Sequence, residues 1–163
     1  DGASAVVIDN ELSREGGGNP PLVALRGGAN VVMIGNTLRG GGVAAVLVEG
    51  NVRLSRNRFE GRGEGQGSAV WVWADSDLAA DDNTFDGYRH AINASKSAVR
   101  AANNRVERFG NTATSVRGPT APAVVVHNVA VSDDAKAKAT QVDGAESVNE
   151  GNRVEHRKAD AKE

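Results

Sequence analysis

The chain has 163 residues, with 19 basic and 21 acidic side chains and a formal charge of −2 at pH 7. That length suits one domain, and so even a balance of charge gives no electrostatic case for nucleic acid or for an anionic membrane. Cysteine is absent, which excludes disulfides and thiolate metal sites, and no apolar run approaches the ~20 residues of a transmembrane helix, so no membrane insertion is expected. Glycine is high at 20 residues and aromatics are only 4%. Short Val and Ala runs broken by Gly, Asn, Asp and Ser read as many brief strands joined by tight turns.

In chain order, one unit returns five times. It is marked by Asn10, Asn36, Asn57, Asn83 and Asn104, at spacings of 26, 21, 26 and 21. Two residues after each Asn stands an apolar residue: Leu12, Leu38, Phe59, Phe85 and Val106. Five and three residues before each lies an apolar pair, running from Ala5 and Val7 to Val99 and Ala101. Between units lies a second short strand: "LVALR" at 22–26, "VAAVLV" at 43–48, "SAVWVW" at 68–73, "HAINA" at 90–94 and "AVVVH" at 123–127. Period-2 patterning inside a 21–26-residue repeat predicts one coil of a parallel β-solenoid. Leucine-rich repeats share the period but not the composition. The corner Asn is expected to take left-handed or bridge backbone angles cheaply, and to hydrogen-bond along the axis.

Further along, "GNTATSVRGPTAP" at 110–122 reads as a projecting surface loop, and Asp134 stands where the next corner Asn is due. An irregular last coil is expected from about 135, ending on Asn152 and Val154 within a domain spanning 1–155, and 156–163 reads as a flexible charged tail. Because the chain opens in mid-coil, we expect it to be part of a longer protein whose N-terminal cap lies outside it.

The recurring unit, as in "NVRLSRNRFEG", resembles the repeats of right-handed parallel β-helix proteins, the pectin-lyase-like group. The resemblance runs clearly over residues 3–134 and more faintly over 149–156. It implies an all-β, right-handed parallel β-helix of about six coils and an extracytoplasmic setting. It does not select an activity, because this fold hosts lyases, hydrolases, epimerases and non-catalytic domains.

The unrepeated residues hold the candidate chemistry. Trp71 and Trp73 share one strand face by parity. Aligning Ser76-Asp77 with Ser97-Ala98 turns both indoles into the core, whereas a one-residue slip turns them outward as a platform for a sugar ring. Tyr88, Arg89 and His90 form a turn triplet able to meet a carboxylated sugar or simply to pack on the coil. Arg53 and Arg100 lie outward on one sheet, flanking Ala79, and complete the candidate carbohydrate-binding set. Asp75, Asp77 and Asp81 are candidate ligands for calcium, the one candidate cofactor; their plainer reading is as corner caps. The Asp-Pro-His-Asp signature of alginate epimerases and the paired Asp and His motifs of polygalacturonases are missing. The leading expectation is therefore a non-catalytic domain that binds a polysaccharide or another protein. A fragment of a lyase, hydrolase or epimerase acting on acidic glycans, and a spacer in a surface protein, are the alternatives. Open solenoid ends also admit end-to-end self-association.

Overall fold

A computed structural model describes residues 2–15, 18–63, 66–110 and 112–156; most of the expected charged tail lies outside the described residues. These form eighteen strands: β1 (Ser4–Ile8), β2 (Glu11–Ser13), β3 (Val23–Ile34), β4 (Thr37–Arg39), β5 (Ala44–Ser55), β6 (Arg58–Glu60), β7 (Ser68–Val72), β8 (Asp77–Asp81), β9 (Thr84–Asp86), β10 (His90–Ser95), β11 (Ala98–Ala102), β12 (Arg105–Glu107), β13 (Thr112–Arg117), β14 (Val124–Val126), β15 (Val129–Val131), β16 (Lys138–Val142), β17 (Val148–Glu150) and β18 (Arg153–Glu155).

Every pairing is parallel and joins a strand to its equivalent one coil away, so the chain winds as an all-β solenoid of about six turns. Each turn has three faces. The first, ahead of the corner Asn, holds β1, β8, β11, β14, β17 and the second halves of β3 and β5. The second is a stack of three-residue strands, β2, β4, β6, β9, β12, β15 and β18. The third holds the first halves of β3 and β5, then β7, β10, β13 and β16.

The corner between the first and second faces carries the repeat. Each Asn backbone N–H donates to the Oδ1 of the Asn one coil on, from Asn10 through Asn36, Asn57, Asn83, Asn104 and Asn128 to Asn152, at 2.9–3.0 Å. The side-chain amide donates back to a carbonyl three residues before the preceding Asn, as Asn57 does to Met33 and Asn83 to Leu54. Thus the corner groups that no sheet ladder reaches are satisfied by the amide column itself. The left-handed backbone falls one residue earlier than expected: Asp9, Arg56, Asp82, Asn103 and His127 have φ of 52–58°, and Gly35 and Gly151 hold the same place. The Asn is therefore kept for its side chain, while its predecessor makes the turn.

Behind the second face, Leu12, Leu38, Phe59, Phe85, Val106, Ala130 and Val154 stack in register. Phe59 and Phe85 are fully buried, their rings stacked at 4.8 Å. The third face contributes a second buried column of small residues, Ala45, Ala69, Ala91, Ala113 and Ala139. A corner between the third and first faces is equally tight: a Cβ on Gly50 would lie 2.4 Å from the Ala29 carbonyl, and Ser76 Oγ accepts the Gly50 N–H at 3.2 Å.

The C-terminal third departs from expectation. Residues 112–117 are not loop but the third-face strand β13, with Thr112, Ala113, Thr114, Ser115 and Val116 all buried. "AVVVH" accordingly shifts to the first face, where β14 pairs with β11. The corner residue is Asn128, not Asp134, because the repeat resets to 24 residues. The last coil keeps all three strands, β16 to β18, in register with those before.

Candidate binding site on the third face

Both Trp side chains point outward. The sheet register sets Trp71 beside Leu47 and Asn93, Val70 and Val72 are buried instead, and Trp73 is 42% exposed. The inward alignment fails at the turn: four residues separate Trp71 from Ser76, but three separate Asn93 from Ser97, although Asn93 pairs with Trp71 and Ser97-Ala98 stands level with Ser76-Asp77. Asp75 and Lys96 hold the same left-handed place, with φ of 60° and 52°, and the Asp75 N–H donates to the Lys96 carbonyl at 2.8 Å, so the extra residue falls in Trp73-Ala74, which stands against Ser95 alone. Valines suit the thin interior at these levels, and the bulky indoles are left outside. The indoles meet edge to face, centroids 5.9 Å apart, a favoured aromatic geometry.

Trp71 lines a hollow of about 390 Å³ together with Arg89, His90, Asn93, Arg117, Gln66 and Asn19. Successive coils position these groups, with Trp71 on β7, His90 and Asn93 on β10 and Arg117 on β13. Asn93 is the outward residue next to Trp71, Arg89 precedes β10, and Arg117 ends β13 with its Nη2 3.5 Å from Asn93 Oδ1. His90 is half-buried, its Nδ1 2.7 Å from the Thr112 carbonyl oxygen. That carbonyl only accepts, so Nδ1 carries a proton and the neutral ring keeps Nε2 as an acceptor. Burial holds the imidazole below the usual histidine range, with nearby Arg89 and Arg117 adding to it and the Thr112 bond opposing. The hollow thus combines an aromatic face, two guanidinium groups, an imidazole and three amides.

The remaining expected residues are dispersed. Tyr88 is buried and donates its hydroxyl to the Gly40 carbonyl at 2.9 Å, and burial raises its pKa further beyond reach. It ties the Phe85 turn to an earlier coil and does not line the hollow at Trp71. Arg53 and Arg100 are exposed on the first face, either side of Ala79 in register, away from the Trp pair. Arg53 and Asp77 line a first-face groove of about 770 Å³, larger than the hollow at Trp71, walled by Val6, Val32 and Ala79. That groove has no aromatic residue, and its amides Asn30 and Asn51 bond each other at 2.9 Å. The Asp set does not converge. Asp77 and Asp81 open and close β8, ~13 Å apart at strand rise, while Asp75 sits in the preceding turn. Among the described residues no three carboxylate or histidine groups come together as a metal site.

Sequence reading missed Asn93 and Arg117 as partners of Trp71. Both lie one or two coils from it, and only the third-face register brings them together. The comparisons add no relative: no protein-family model, curated protein or solved structure matches the chain.

Proposed function

We propose that this solenoid is a non-catalytic carbohydrate-binding domain of the pectin-lyase-like type, working outside the cytoplasm on a polysaccharide. The observation that carries the reading is the outward Trp71–Trp73 pair beside the hollow of Asn93, Gln66 and His90. A sugar ring presents an apolar C–H face that suits an indole, and hydroxyls at its rim that suit amides and an imidazole acceptor. An exposed indole on a rigid sheet needs no ordering on binding, which favours affinity. The hydrolase and lyase alternatives have less support: among the described residues no carboxylate accompanies His90 in the hollow, so the paired acids of glycoside hydrolysis have no counterpart among them.

Co-sedimentation with a panel of insoluble polysaccharides tests the reading. The protein is expected to pellet with at least one of them and to release no soluble sugar. Trp71→Ala is expected to abolish pelleting while leaving the thermal midpoint unchanged. Retention of binding by Trp71→Ala and Trp73→Ala together would sink the proposal, and release of soluble sugar by the wild type would favour an enzyme.

A further inference from the structure

Arginines on the second face and those in the hollow are treated differently by the fold. On the second face Arg39 meets Glu11 and Glu60, Arg58 meets Glu60, Arg105 meets Glu107, and Arg153 meets Glu155. Arg108, in the turn that follows, holds Asp86 through two bonds of 2.5 and 2.6 Å. In the hollow, Arg89 and Arg117 have no ion-pair partner among the described residues, and among those residues no Asp or Glu lines the space around Trp71. A guanidinium presents a planar fork that matches an oxyanion, and covering one with a neutral ligand leaves it desolvated and unpaired.

We infer that the hollow selects an anionic oligosaccharide, one carrying carboxylate or sulfate groups, with a ring on Trp71 and its acid groups on Arg89 and Arg117. The inference rests on the proposed carbohydrate reading and adds the charge of the ligand. Register sets the length. Arg89 lies four residues before Asn93, and Arg117 two residues after Ser115, which pairs with Asn93, so the two cations flank Trp71 along the strand with Cα atoms ~20 Å apart. Such a span fits a chain of sugars better than a single one. Binding needs no metal, since both cationic groups belong to the protein. Single-stranded nucleic acid also suits an aromatic with arginines, but a net charge of −2 argues against it.

Calorimetric titration of the full chain in a chelator tests this, using cellotetraose, its C6-oxidised (uronate) form, its sulfated form and tetrathymidylate. At least one acidic tetrasaccharide is expected to bind about tenfold tighter than cellotetraose, as one charge-assisted contact allows, and to weaken with salt. Arg89→Gln and Arg117→Gln, both at exposed positions, should each reduce that advantage of the acidic over the neutral tetrasaccharide. Equal binding of neutral and acidic forms, lost in Trp71→Ala, would overturn the charge selectivity and leave the carbohydrate reading standing. Binding of no tetrasaccharide at all would overturn both. Tighter binding of tetrathymidylate, or an acidic preference that survives the Arg89→Gln/Arg117→Gln double variant, would also overturn the inference.

Discussion

The second and third faces of the solenoid are built from the same repeat and end in opposite chemistry. On the second face, short strands put charges outward at the same two columns in coil after coil, and the sheet register aligns Arg39 with Glu60 so that neighbouring coils neutralise one another. Behind it lie the Asn column and the stacked Phe pair. The third face has longer strands over a lining of alanines and valines; Arg26 meets Glu49 at one end of it, but beside the column of Leu47, Trp71, Asn93 and Ser115 Arg89 and Arg117 have no ion-pair partner among the described residues. One face satisfies itself and is scaffold. The other leaves its polar groups facing solvent, where a ligand can use them.

Substitutions should separate the two. Phe59→Ala, which empties a fully buried position in the ring stack, is expected to cost about 3–5 kcal/mol by denaturant unfolding. A cost below 1 kcal/mol would contradict the stacked column. Asn83→Ala removes two amide donors and an acceptor from the buried corner; a loss of about 2–3 kcal/mol is expected, since the Asn57 N–H would be left without its partner. In both variants, whatever folds should keep its ligand affinity, because neither residue reaches the third face.

Acid should distinguish the faces as well. His90 has a depressed folded pKa, so its contribution is full above the unfolded value of about 6.5 and is lost as pH falls toward the lower folded value. Glu60 is lowered by hydrogen bonds from Arg39 and Arg58, so its contribution is full above about 4.3 and fades at lower pH. Urea unfolding across this range is expected to show the first decline removed in His90→Gln and the later one flattened in Glu60→Gln. A smaller effect should come from Arg56→Gly. Arg56 sits at φ 54° before Asn57, a conformation glycine adopts at no steric cost, and a gain of up to about 1 kcal/mol is expected, net of glycine's greater unfolded-state freedom. The smallest should come from Arg39→Gln, whose exposed ion pairs are screened by water; the thermal midpoint should barely move.

How far these differences can be read from sequence follows from what each column demands. The corner Asn and the apolar residue two positions on are legible because one side chain meets the same need in each coil, and any slip would break the amide column. The column was lost at Asn128 because the coil length changed and because β13 fills its core strand with Thr and Ser, which read as loop. Which residue turns left-handed was misplaced by one, since Asp, Arg, Asn, His and Gly all fill that place. The Trp pair hinged on one extra residue in the Trp73–Ser76 turn, invisible without the register. The hollow itself was only partly legible: Trp71, Arg89 and His90 are close in sequence, but Arg117 joins them from two coils away.

The central claim is that the outward Trp pair binds sugar without breaking it, and one titration tests it most directly. The chain has two Trp residues, so a ¹⁵N spectrum carries two indole N–H signals, assigned with Trp73→Phe. On adding an oligosaccharide of the type the protein sediments with, the Trp71 signal is expected to shift saturably, with the sugar's anomeric signals unchanged over hours. Indole signals that stay fixed while other regions respond, or sugar signals that show cleavage, would contradict it.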